Sequence, residues 1–209
     1  MMLNKIASAL HRNDETPNIE LAEQLASGED RAGIEEIVKG LDMDRATAGD
    51  CIKVLYEIGQ RRRELIAPYA EVFLRLLRSR NNRLQWGAMT ALGMVTDLNP
   101  DPVMAHLDEV VATYKEGSVI TVDHSISVFA KLICAKKACE QRVLPILIAH
   151  LAGCRAKEIP QHLERMAVCF HPGNAGLFRT AIAARYGELS KPQRARVDRI
   201  LKALAAMVQ

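Results

Sequence analysis

Four columns of apolar residues repeat along this chain at a spacing of 37. Ile52, Met89, Ile126 and Leu163 form one column, and Leu55, Leu92, Phe129 and Met166 a second. Ile58, Val95, Leu132 and Cys169 form a third, and Ile37, Leu74, Val111 and Ile148 a fourth. Positions 52, 55 and 58 step by three, as one face of a helix does. A unit of this size with one apolar face cannot bury that face alone and must stack on its neighbours. The pattern therefore predicts an all-α chain of about four helix pairs with capping helices. Composition agrees: 49% of residues are apolar but only 4% aromatic, and Ala and Leu favour helix over strand.

The helix pairs are expected near 29–60, 64–97, 101–134 and 138–170. In each, a first helix A precedes a second helix B. Closing helices are expected near 174–187 and 191–207, a C-terminal cap over 174–207, and residues 3–12 and 18–27 should close the other end. Turn signals separate the helices at Leu41–Asp44, Ser79–Asn82, Asn99–Pro102 and Glu116–Ser118. Asn81 or Asn82 suits an N-cap, and Pro102 suits a first helical turn. No linker separates these pieces, so residues 1–209 are read as a single domain.

The stretch Leu65–Leu77, with Pro68 inside helix A, followed by Asn81–Gly93, resembles a HEAT repeat. Ala88, Ala91, Leu92 and Gly93 match the Ala…Ala-Leu-Gly ending of that family's helix B. Leu84-Gln85 stands where the family has Val-Arg, and Asn replaces Asp in the turn. Val143–Leu147 resembles the helix A signature again. The resemblance covers roughly residues 29–170 and implies a right-handed α-α superhelix, a HEAT-like solenoid whose B helices line the concave surface. Most such arrays are binding scaffolds, and fold alone does not assign function.

That geometry singles out B-helix columns opposite the apolar stripe: Asp50, Gly87, His124 and Gln161; Lys53, Thr90, Ser127 and Glu164; Glu57, Met94, Lys131 and Val168. Trp86, the one Trp of the chain, shares a column with Gly49, Asp123 and Pro160, a mix that no buried column tolerates. An exposed Trp and Met flanked by Arg83 suit an interface anchor. Arg83, Trp86, Thr90, Met94, His124, Ser127 and Lys131 are therefore the expected binding residues for a protein or peptide partner. On this reading Lys53→Ala and Thr90→Ala, in a solvent-facing column, should each change stability by no more than about 0.5 kcal/mol.

Catalytic and cofactor chemistry finds no support in the residues. Cys134 and Cys139 are five apart and point to different faces. His162, Cys169 and His171 are near in sequence, but Cys169 falls in an apolar column, so no metal site is expected. Gly173-Asn174-Ala175-Gly176 reads as a turn before a helix rather than a phosphate loop. Five Cys without framework spacing fit a reduced, cytoplasmic protein. The amphipathic start, Met1–Arg12, lacks a signal core and reads as a cap. No apolar run reaches the roughly 18 residues that cross a bilayer.

Charge is uneven. Residues 1–60 hold 6 Lys/Arg against 12 Asp/Glu, and residues 61–209 hold 22 against 13. Arg61-Arg62-Arg63 and the basic closing helix raise an alternative, a HEAT-like nucleic-acid-binding protein similar to the alkylpurine DNA glycosylases, with Arg83, Trp86, Asp97 and Asp123 cast in its site. Phosphate binding wants a continuous positive stripe, and Asp50, Glu57 and Glu164 interrupt this one.

Overall fold

In the computed structural model, which describes residues 1–207, the chain is all-helical, with no strand among the described residues. The described residues divide into two compact units, one over residues 1–125 and the other from residue 126 onward. The N-terminal unit opens with a short 3₁₀ turn at Met2–Lys5, then α1 (Thr16–Ser27), α2 (Arg31–Gly40) and α3 (Arg45–Arg62). Two 3₁₀ turns, one of them holding Pro68, lead into α4 (Ala70–Leu76) and α5 (Asn82–Val95). Then come α6 (Pro100–Ala105), α7 (Leu107–Glu116) and α8 (Val119–Ala135), within which the division falls. The C-terminal unit continues with α9 (Glu140–Gly153), α10 (Ile159–Met166), α11 (Pro172–Arg185) and α12 (Lys191–Ala206).

Local chemistry sets these boundaries. The Asp30 carboxylate accepts from the Gly33 N–H and starts α2, and Asp44 accepts from the Ala46 and Thr47 N–H groups at α3. Asn81, not Asn82, caps α5 by accepting from the Arg83 N–H at 3.1 Å. Pro100 and Pro102 fall in the first turn of α6.

Three of the four columns are fully packed: every member of the Ile52, Leu55 and Ile58 columns is buried. The fourth is not. Ile37 and Leu74 are buried, but Val111 and Ile148 are half-exposed, and their neighbours Val110 and Leu147 are buried instead. In the third repeat helix A breaks at His106 (φ −107°, ψ 23°) and restarts as α7, whose buried stripe is Leu107, Val110 and Thr113. The apolar face is shifted by one residue here, as it also is in the unbroken α9, and a fixed repeat spacing cannot anticipate the shift.

Within the N-terminal unit, α3 packs against α1, α2 and α5, and α5 also packs against α4. Both central helices are covered on all sides: Ala48–Gly59 of α3 and Gly87–Gly93 of α5 are buried without a gap. Gly87 permits this approach, since a Cβ there would lie 2.7 Å from Ile52 Cγ1.

Candidate functional site

The polar columns of α3 are not solvent-facing. Asp50, Lys53 and Glu57 are each less than 9% exposed and sit under the N-terminal cap. One Asp50 oxygen accepts from the Ser8 N–H (2.7 Å) and the other from the Asn18 amide (2.9 Å). The Asn18 carbonyl accepts from the Ala7 N–H, which ties residues 7–18 to α3. Lys53 Nζ lies between Glu57 (2.8 Å) and Glu15 (3.0 Å), and Arg61 meets the other oxygen of Glu57 (2.8 Å). The cap was legible as an end-closing segment. That it covers a column of charged residues was not, because the Glu15–Lys53 ion pair and the Ser8–Asp50 and Asn18–Asp50 hydrogen bonds join residues 38, 42 and 32 positions apart.

Burial alone would raise the Glu57 carboxyl, but Lys53 and Arg61 outweigh it and hold it below its ordinary value. Burial would likewise lower the Lys53 ammonium, and hydrogen bonds to Glu57 and Glu15 raise it instead. A carboxyl depressed in the folded state stabilises above its unfolded pKa and loses that contribution as pH falls through the folded one. The stability difference between wild type and Glu57→Gln should therefore be full near neutrality and shrink below about pH 4.5. Denaturant midpoints across the acid range check this, and a pH-independent difference would refute it.

Beside this network lies a polar cavity of about 720 Å³, lined among others by Ser8, Arg12, Glu15, Arg45, Asp50 and Arg83. Arg83 forms its α5 edge. Its guanidinium donates to the Gly49 carbonyl (3.0 Å) and to Glu15 (2.9 Å), lying where a Cβ on Gly49 would crowd it at 3.2 Å. One turn along α5, Trp86 is half-buried, its ring tilted 48° against Tyr56 at 5.8 Å between centroids. Lys53 Nζ sits 4.9 Å from the centre of that Tyr56 ring, so the aromatic pair and the ion network share a side chain.

The remaining expected binding residues fall in different settings. Thr90 is 4% exposed, and its hydroxyl donates to the Trp86 carbonyl at 2.8 Å. Met94 is half-buried at the far end of α5, against the backbone of Gly59. His124 is half-buried on α8 in the N-terminal unit. Ser127 and Lys131, also half-buried on α8, belong to the C-terminal unit, where the Ser127 hydroxyl accepts from Arg165 (2.9 Å). Trp86 and Arg83 thus come together at one edge of α5.

The Arg61–Arg63 run is internally neutralised. Arg61 pairs with Glu57, Arg62 with Glu29 (2.8 Å), and Arg63 with Asp97 (2.6 Å). Arg75, Arg78 and Arg196 likewise pair with Asp42, Glu109 and Glu164. His171 is a structural cap, bonded to Glu140 (2.7 Å) and to the Gly173 N–H (3.1 Å). No helix among the described residues is long and apolar enough to cross a membrane.

No family model and no curated protein matches the chain. It superposes on crystal structures of two engineered proteins, both Northeast Structural Genomics Consortium targets. The first is 16% identical, with a TM-score of 0.65 over 98% of this chain and 96% of the other. The second is 15% identical, with a TM-score of 0.66 over 97% of this chain, which spans only 58% of that protein. At such identity the likeness concerns the fold alone.

Proposed function

We propose that this protein is a non-enzymatic interaction module, a short HEAT-like right-handed superhelix that binds a protein or peptide. Its anchor is Trp86 at the edge of α5, with Arg83 and the charged cavity on one side and Met94 on the other. The observation that carries this reading is the setting of Trp86. The next turns of α5 are buried completely, yet the one Trp of the chain stays half-open on a rigid Tyr56 backing. A large aromatic side chain fixed in that way offers contact area at small entropic cost, and Trp dominates interface hot spots for this reason. The cavity beside it carries both signs of charge, which suits a segment presenting an apolar side chain next to charged ones. A cytoplasmic setting fits the five free thiols.

Ion pairing of the basic run favours a protein partner over nucleic acid, since a phosphate would have to displace a carboxylate at each of Arg61, Arg62 and Arg63.

The test is a capture experiment with wild type and Trp86→Ala in parallel, followed by titration of the purified captured protein. Trp86→Ala should keep the fold and weaken binding by about 2 kcal/mol or more. Free Trp86 emission should lie between buried and exposed indole, be partly quenched by iodide, and shift on titration. Equal affinity of both variants would remove Trp86 as the anchor. Submicromolar duplex binding at physiological salt, or base excision from alkylated DNA, would replace the reading with the nucleic-acid alternative.

A further inference from the structure

In the C-terminal unit, two buried imidazoles and a thiol converge. His150 is 8% exposed in the last turn of α9, and His162 is fully buried on α10. His150 Nε2 and His162 Nδ1 are 2.8 Å apart, with ring centroids 4.6 Å apart. Cys154 follows α9 directly, one helical turn from His150, its N–H bonded to the His150 carbonyl at 2.8 Å. One nitrogen from each imidazole and the Cys154 sulfur all lie within 4.8 Å of one another.

We infer that His150, Cys154 and His162 form a binding site for a thiophilic divalent ion of the zinc class. Zn–N distances of about 2.0–2.1 Å and a Zn–S distance of about 2.3 Å place tetrahedral donors roughly 3.3–3.7 Å apart. The three donor atoms lie within 4.8 Å of one another, and the imidazole pair, at 2.8 Å, needs to open by only about half an ångström. Two imidazoles and one thiolate suit Zn²⁺ and exclude the hard cations, which take oxygen donors. Three protein ligands leave one position for water or a fourth donor.

The surroundings hold the thiol in place. The Arg185 guanidinium donates to the carbonyls of Leu151 (2.9 Å), Ala152 (3.1 Å) and Cys154 (2.9 Å), closing the C-terminus of α9. It fixes the turn that carries Cys154, as outer-shell groups do in metal sites. Burial keeps the free thiol protonated, and Arg185 works against that. On ligation the thiol proton leaves to solvent as the metal–sulfur bond forms, and the proton shared between His150 Nε2 and His162 Nδ1 passes to the other nitrogen of the ring that carried it, so that both facing nitrogens are free to bind. A lone buried His–His hydrogen bond would account for the two imidazoles but not for a thiol placed one turn away beside a guanidinium.

The experiment uses the full chain, reduced and treated with chelator, then titrated with Co²⁺. One ion per chain should bind and give a thiolate-to-cobalt charge-transfer band in the near ultraviolet. Zn²⁺ should bleach that band, raise the melting temperature reversibly by chelator, and protect Cys154 from alkylation read by mass spectrometry. Cys154→Ser should remove the band and weaken binding on the order of 100-fold, while Cys134→Ser, at an exposed thiol, should leave both unchanged. A cobalt complex without a thiolate band, a band that survives Cys154→Ser, or undiminished alkylation of Cys154 under Zn²⁺ overturns the proposal. The alkylation readout needs no variant, so it stands even if a substitution disturbs folding.

Discussion

Leu92→Ala is expected to destabilise the protein by about 2–5 kcal/mol, the range for emptying a well-packed core position. Leu92 is fully buried in α5, and the helix around it is covered on every side, so neighbours cannot collapse into the space without moving a whole helix. Gly87, one turn and a residue earlier, already brings α5 against Ile52 of α3, which leaves little freedom for that movement. Chemical denaturation checks the value, with Val168→Ala as a control at a half-exposed apolar side chain, expected within about 0.5 kcal/mol. Thr90→Ala belongs between them, at about 1 kcal/mol, because the side chain is buried and its hydroxyl donates to the Trp86 carbonyl. If Thr90→Ala equalled Leu92→Ala, the packing of α5 described above would be wrong.

Asp50→Ala should be the most damaging substitution of a charged residue, at about 3–5 kcal/mol. Its carboxylate is the acceptor for two donors of the cap, the Ser8 N–H and the Asn18 amide, and Arg83 lies 3.7 Å away. Asn18 is fully buried, so losing its acceptor strands a polar group away from water. The cap should then loosen locally before the rest of the unit unfolds. Limited proteolysis should find new cleavage within residues 3–27, while α4 and α5 stay protected. Asp50→Asn keeps the shape and one acceptor and should cost less than half as much. A variant as stable as wild type, with no new cleavage, would mean that the cap is held by its apolar contacts alone.

How far these features could be read in advance depended on their range. Apolar periodicity is local, and it located α2, α3, α5 and α8 to within a few residues because nothing interrupts those helices. It failed in the fourth column, both where helix A restarts at His106 and within the unbroken α9, where Leu147 rather than Ile148 is buried, since packing sets which side of a helix turns inward. Polarity misled on α3: Asp50, Lys53 and Glu57 look solvent-facing, but their partners Glu15 and Asn18 lie in a segment whose docking no local pattern encodes. The same holds for Thr90, whose hydroxyl is satisfied by its own helix. Trp86 was legible as a boundary residue from its mixed column, whereas its Tyr56 backing was not. The His150–Cys154 spacing of four places both on one helix face and was open to detection, but a search for Cys pairs passes over it. His162 joins them only through the packing of α10 on α9.

Hydrogen exchange of the free protein and of its complex with the captured partner tests the interaction reading most directly. New protection is expected over residues 82–87 and 94–95, at the ends of α5, and over residues 8–15 at the rim of the cavity. The centre of α5 should change little, being buried already. Protection confined to surfaces away from α5, with residues 82–87 unchanged on saturation, would contradict it.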